Sequence, residues 1–211
     1  MAGLVLYGEP GWGSAIAEAQ LVWYGLEFAF VRTGDLFAEP GARAKLQDVN
    51  PLGQIPTLVL EDDSIMTESA AITLYLADLT GRDDLVPPPS HPARGAFLRW
   101  LVFIVANIYP TYTYADDPSR FVSVEAARAP FKSAVHDYAK RLYAQLDEAA
   151  GSPWFLGNRL SALDFYLVVL THWEPGRDWF MARTPNLAAI ARRTEALPDI
   201  APVWNRNFPA D

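Results

Sequence analysis

Three consecutive prolines, Pro87-Pro88-Pro89, constrain this 211-residue chain more than any other feature. Proline donates no backbone N–H, and its ring disfavours the helical conformation in the residue before it, so neither a helix nor a central strand runs through residues 86–90. The chain is cut there into parts of different chemistry. Residues 1–84 carry four basic and thirteen acidic side chains, a balance of −9, whereas residues 85–211 carry thirteen and twelve. A boundary is expected at this point, giving domains 1–84 and 85–211.

The first part alternates strand and helix signals. Leu4-Val5-Leu6-Tyr7 reads as a short apolar strand, and Gly8-Glu9-Pro10-Gly11-Trp12-Gly13 as a breaker-rich loop. Ser14 is a candidate N-cap for a helix whose Ile16, Ala19, Gln20 and Trp23 make one largely apolar face. Residues 27–31 read as a second strand, so a parallel βαβ unit is expected. Residues 41–49 suit a helix, 56–60 and 64–67 a hairpin around the acidic turn Glu61-Asp62-Asp63, and 69–79 a closing helix. The second part has helical periodicity throughout. Phe97, Leu98, Leu101, Ile104, Val105 and Ile108 share a broad face, residues 124–150 form a long helix with Pro130 near its start, and Ser161-Ala162-Leu163-Asp164 spells a capping box. Shorter helices are expected over 185–196 and 198–204.

Composition removes several kinds of function. With no cysteine the chain has no disulfide framework, no thiolate metal ligand, no redox pair and no cysteine nucleophile. A net charge of −8 argues against nucleic acid or a membrane surface as partner, because both draw affinity from clustered Lys and Arg. No basic, apolar leader precedes the polar segment at 8–14, so a cytoplasmic address is expected. His91, His136 and His172 stand apart without metal-ligand or triad spacing, and no metal is expected.

The segment Asn50-Pro51-Leu52-Gly53-Gln54-Ile55-Pro56-Thr57-Leu58, followed by Thr67-Glu68-Ser69-Ala70-Ala71-Ile72, resembles the glutathione-binding signature of the cytosolic glutathione S-transferase family. The likeness extends over nearly the whole chain, through the proline linker to the capping box ahead of an apolar helix. It implies a thioredoxin-like βαβαββα first domain and an all-helical second one, α/β plus all-α. It also implies an enzyme using glutathione as co-substrate, with no metal, to conjugate hydrophobic electrophiles in detoxification, and a homodimer in which the first domain of one subunit meets the second of its partner. A non-catalytic binder of glutathione or hydrophobic ligands on the same fold is the alternative.

Residue by residue, a proline after Ile55 suits a cis bond that turns the Ile55 backbone outward, where the cysteinyl backbone of glutathione pairs as an added strand beside Gln54 and Pro56. Glu68 can accept the γ-glutamyl ammonium, and Ser69 at a helix N-terminus its carboxylate. Taken alone, these residues are equally a loop proline and an ordinary helix cap. Arg43 or Lys45 would meet the glycyl carboxylate. For the hydroxyl that stabilises the thiolate, Ser14 is the first candidate and Tyr7 the second. Some bacterial members carry Pro-Gly-Ala-Cys-Ser in this loop; Gly13 stands at the cysteine's place here, which removes mixed-disulfide chemistry on the protein. Trp12, Tyr109, Tyr112 and Tyr114 are candidates for the hydrophobic substrate site, expected between the domains.

Overall fold

The computed structural model describes residues 3–209, and the chain forms two compact units, Met1–Val86 with Arg193–Asp211, and Pro87–Arg192. In the first unit the order is β1 (Leu4–Gly8), α1 (Ser14–Tyr24), β2 (Phe28–Arg32), α2 (Ala42–Gln47), β3 (Thr57–Val59), β4 (Ile65–Met66) and α3 (Ser69–Thr80). The strands form one sheet in the order β2-β1-β3-β4. β1 and β2 are parallel, with Leu4 opposite Phe28, as the intervening helix requires. β3 runs antiparallel to β1, with Tyr7 opposite Thr57, and β4 antiparallel to β3. Along β1, Leu4, Leu6 and Gly8 are buried while Val5 and Tyr7 are half-buried, the period-2 pattern of a strand covered more deeply on one side.

Helix α1 departs from the single apolar face expected of it. Every residue from Ser14 to Leu21 is buried, polar ones included. The reason lies at the far end of the chain: α10 (Ala201–Asn207) packs on α1, which also contacts β1 and α3. Several of its buried polar groups are paired, Gln20 Nε2 donating to Thr73 Oγ1 of α3 at 3.0 Å, while Gln20 Oε1 and the Tyr24 hydroxyl have no partner among the described residues. The sequence reading grouped all of residues 85–211 together; packing instead sets 193–211 with the first unit.

The second unit contains α4 (Arg94–Phe103), a π-helical segment (Ile104–Ile108), α5 (Tyr109–Asp116), a 3-10 turn (Pro118–Arg120), α6 (Glu125–Ala149), α7 (Ala162–His172) and α8 (Arg177–Arg183), followed by α9 (Pro185–Glu195). The broad face read over 97–108 is interrupted by the π segment, and Pro110 accounts for it. In a continuous α-helix the Pro110 ring would meet the Ala106 carbonyl and supply no N–H. The turn widens instead, Tyr109 N–H donates to the Ile104 carbonyl, and Asn107 Nδ2 donates to the Phe103 carbonyl at 3.2 Å.

Helix α7 is buried from Ala162 to Thr171 and forms the centre of this unit. Its start is the capping box read from the sequence: Asp164 accepts from the Ser161 N–H at 2.7 Å, from the Phe155 N–H at 2.8 Å and from Ser161 Oγ at 3.2 Å. Burial pushes its carboxyl up to about 6 although these donors act in the opposite direction. Removing the carboxylate would strand two buried N–H groups, so Asp164→Ala is expected to lower stability by about 2–3 kcal/mol, read as a fall in Tm by calorimetry.

Candidate functional site

The loop between β1 and α1 is built on Glu9. Ser14 Oγ donates to the Glu9 carbonyl at 3.1 Å and accepts from the Glu9 N–H at 3.1 Å. The Glu9 carboxylate, itself buried, accepts from the Gly34 N–H at 3.0 Å and forms an ion pair with Arg32. Gly8 is glycine for want of space, since a Cβ there would lie 2.5 Å from Ser14 Cβ and Oγ. Ser14 is 0% exposed, and its hydroxyl has both a donor and an acceptor in the loop. Ser14, the first candidate for the thiol-activating hydroxyl, is thus enclosed, and its hydroxyl is engaged in shaping the loop. Tyr7, the other candidate, is half-buried, and its hydroxyl makes no hydrogen bond among the described residues.

Tyr7, Trp12 and Ile55 are brought together, packed against the small cluster of Leu36, Ala42 and Leu46. Trp12 also stacks on Phe37, ring centroids 5.4 Å apart and planes 26° from parallel. The other face of this region is the turn leading into β3. Ile55-Pro56 is a cis bond, and the pairing of β3 with β1 begins only at Thr57, leaving Ile55 outside the ladder. Gln54 is exposed and its carbonyl is held twice, by Asn50 Nδ2 at 2.9 Å and Thr57 Oγ1 at 2.9 Å. Asn50 Nδ2 also reaches Thr57 Oγ1 at 3.0 Å, and its Oδ1 accepts from the Leu52 N–H at 3.1 Å. Asn50 therefore holds the turn that presents Gln54 and Ile55, a role its place in the sequence motif did not specify.

Glu68 is exposed at the start of α3 with φ +66° and ψ +109°, a conformation that costs a non-glycine residue of order 1–3 kcal/mol. No side chain caps α3, although Ser69 is buried at its first position. The N–H groups of that first turn have no partner within the helix by geometry. Strain and an uncapped terminus coincide at Glu68-Ser69, which suits a carboxylate and an ammonium arriving from outside.

The basic residues of this unit divide by commitment. Arg43 Nη1 donates to the Gly53 carbonyl at 3.1 Å, and its guanidinium lies 5.3 Å from the Phe37 ring centroid. Arg32 pairs with Glu9 and Arg82 with Asp84. Lys45, exposed in the last turn of α2, is engaged by no group among the described residues.

The aromatic candidates of the second unit separate. Tyr109 packs on Tyr166 and Trp173, and its buried hydroxyl has no partner among the described residues. Tyr112 lies edge-on to Trp173 at 4.8 Å, while its hydroxyl donates to the Glu174 carbonyl at 2.8 Å and meets the Tyr143 hydroxyl at 2.5 Å. Burial pushes both phenols well above their ordinary range, so they are neutral hydrogen-bonding groups. Tyr114 is exposed and rests on Phe121. Tyr109 and Tyr112 thus share Trp173 as a neighbour, while Tyr114 packs on Phe121.

Residues 19–79 match the glutathione S-transferase N-terminal domain, and residues 106–204 the glutathione S-transferase C-terminal domain. An uncharacterised GST-like protein of Escherichia coli K12, YncG, is 42% identical over 205 residues, covering 96% of this chain and 97% of that protein. Among solved structures, a glutathione transferase homologue from Sulfitobacter with bound glutathione is similar at 25% identity and a TM-score of 0.85, covering 97% of this chain and 98% of that one. A sphingomonad glutathione S-transferase complexed with glutathione is similar at 25% identity and a TM-score of 0.77, over 98% of this chain and 100% of the other. With matches of this extent in both parts of the chain, over the sheet order and helical unit described above, this chain belongs to the glutathione S-transferase family.

Proposed function

We propose that the chain binds glutathione on its first unit and transfers the thiol to a hydrophobic electrophile. The observation that carries this reading is Glu68, exposed and strained at the start of an uncapped helix in the same unit as the Gln54-Ile55-Pro56 turn. The Ile55 backbone, outside the ladder, pairs with the cysteinyl backbone beside Gln54 and Pro56. Glu68 takes the γ-glutamyl ammonium, while Ser69 and the α3 N–H groups take its carboxylate. Lys45 meets the glycyl carboxylate; Arg43, held by Gly53 and Phe37, stiffens the turn instead. The Tyr7 hydroxyl donates to the thiolate and lowers the thiol pKa from its ordinary ~8.5. The sulfur then attacks the electrophile and the leaving group departs with its electron pair. Trp12 contributes an apolar wall, and Tyr109 and Tyr112 act through the packing of their own unit. Tyr114 remains as an exposed aromatic for an apolar substrate. The working form is a cytoplasmic homodimer, which sedimentation at micromolar concentration tests.

One observation favours a second reading, a glutathione-binding protein without turnover: Ser14 is enclosed and its hydroxyl is satisfied within the loop. Calorimetry with glutathione, run beside conjugation of a chloro-nitroaromatic, separates the two. Binding without conjugation supports the second reading, and absence of binding rejects both.

On the transferase reading, Tyr7→Phe lowers kcat/KM by about 10²-fold at unchanged Tm, the effect of losing one donor to a developing anion. Ser14→Ala instead lowers Tm, because it strands the buried Glu9 backbone, at a stability cost of about 1–3 kcal/mol. A full loss of turnover in Ser14→Ala at wild-type Tm, with Tyr7→Phe active, would reverse the assignment. Glu68→Gly is expected to stabilise the fold by about 1 kcal/mol through relief of the backbone strain, while glutathione binding measured by calorimetry weakens roughly tenfold. Lys45→Ala raises the KM for glutathione with little change in Tm, whereas Arg43→Ala lowers Tm.

A further inference from the structure

The β1–α1 loop is held by a residue from the other end of the chain. Asn207 Oδ1, in the last turn of α10, accepts the Gly11 N–H at 3.1 Å. Its Nδ2 donates to Glu18 Oε2 of α1 at 2.8 Å and to the Val203 carbonyl at 2.9 Å. The second oxygen of Glu18 forms an ion pair with the Arg206 guanidinium. Glu18 and Asn207 are 2% and 5% exposed, so neither partner is exchanged freely for water. The task needs an acceptor for an N–H and a donor for a carboxylate on one short planar group, which asparagine supplies. A leucine would remove both the acceptor that Asn207 offers the Gly11 N–H and the donor it offers Glu18, and an aspartate would set two carboxylates together.

The loop is fastened by side chains as well as by the Trp12 N–H, which donates to the Glu9 carbonyl at 3.1 Å. Ser14 holds the Glu9 backbone, and Arg32 with Gly34 holds the Glu9 side chain, so these two fix its start. Asn207 holds the middle, at Gly11, whose φ of +81° is a conformation that glycine adopts readily. The next residue is Trp12, whose ring stands against the cluster it shares with Tyr7 and Ile55. We propose that Asn207 is a positioning residue for glutathione: by tying Gly11 to α10 and Glu18 it presets the loop that keeps Trp12 beside Tyr7 and Ile55. The proposal rests on the transferase reading and adds to it a residue 196 positions from the one it acts through.

Three variants test it, read by amide exchange, steady-state kinetics, Tm and calorimetry. In the free protein, the Gly11 amide of Asn207→Ala is expected to exchange with solvent roughly tenfold faster than in wild type, since Asn207 Oδ1 no longer accepts from it. In steady-state conjugation, the KM for glutathione rises roughly fivefold to tenfold while kcat per folded molecule and the KM for the electrophile hold. Leu187→Ala, a cavity in the core of the second unit, lowers Tm and leaves the KM for glutathione at its wild-type value. Should Asn207→Ala fail to fold, Asn207→Ser, too short to reach both partners, is read in the same way. Unchanged exchange at Gly11, an unchanged KM for glutathione, or an equal rise in KM for Leu187→Ala overturns the proposal. A wild-type protein that binds no glutathione by calorimetry overturns the transferase reading and this role with it. Wild-type binding with an unaltered variant KM overturns this role alone.

Discussion

Helix α1 is enclosed on every side, and most of what positions the site follows from that constraint. A helix of eleven residues whose first eight are buried must satisfy Ser14, Glu18 and Gln20 without water. Each recruits a different neighbour: Ser14 the Glu9 backbone, Gln20 Thr73 of α3, and Glu18 Arg206 and Asn207 of α10. A buried carboxylate left without partners would cost several kcal/mol, so the contact with α10 is required by α1 as much as it covers it. The outcome is a loop and a helix start whose conformation is set before any ligand arrives.

Preorganisation of this kind has a chemical consequence. Hydrogen bonds that strengthen as a thiol becomes a thiolate count only if their donors are already in place, because reorganisation would consume the gain. In the first unit Ser14, Asn50, Thr57 and Arg43 are engaged within the protein, while among the described residues the side chains of Glu68, Lys45 and Gln54 and the Tyr7 hydroxyl have no partner. That division separates residues that shape the site from residues free to meet a ligand. The acidic balance of the first 84 residues makes Lys45 more valuable for an anionic ligand, since Arg32, Arg43 and Arg82 are committed.

Much of the fold was legible because its signals are local. Short apolar runs bounded by turn residues gave β1 and β3, the proline run marked a change of composition, and Ser161 with Asp164 announced the start of α7. The π segment was foreshadowed only by Pro110, whose effect on Ile104 to Ile108 depends on the helix continuing past it. Gln54, Ile55, Pro56, Glu68 and Ser69 were nameable as candidates from their resemblance to the family's signature, and Trp12, Tyr7 and Ile55 pack on one cluster. Ser14 could be named as a polar residue at a helix start but not as an enclosed one, because burial depends on what packs over it.

The sequence by itself determined the strand and helix order, the family, the absence of thiol chemistry on the protein, and the residue types that a glutathione site needs. Each of these rests on composition or on contacts within a few residues of chain. Tertiary structure alone decided that the Ser14 hydroxyl is enclosed, that Arg32, Arg43 and Arg82 are engaged, and that Asn207 holds Gly11. Those outcomes depend on pairs such as Asn207 with Gly11, whose sequence separation carries no periodic or compositional trace, and whose meeting follows from the burial of α1 beneath α10.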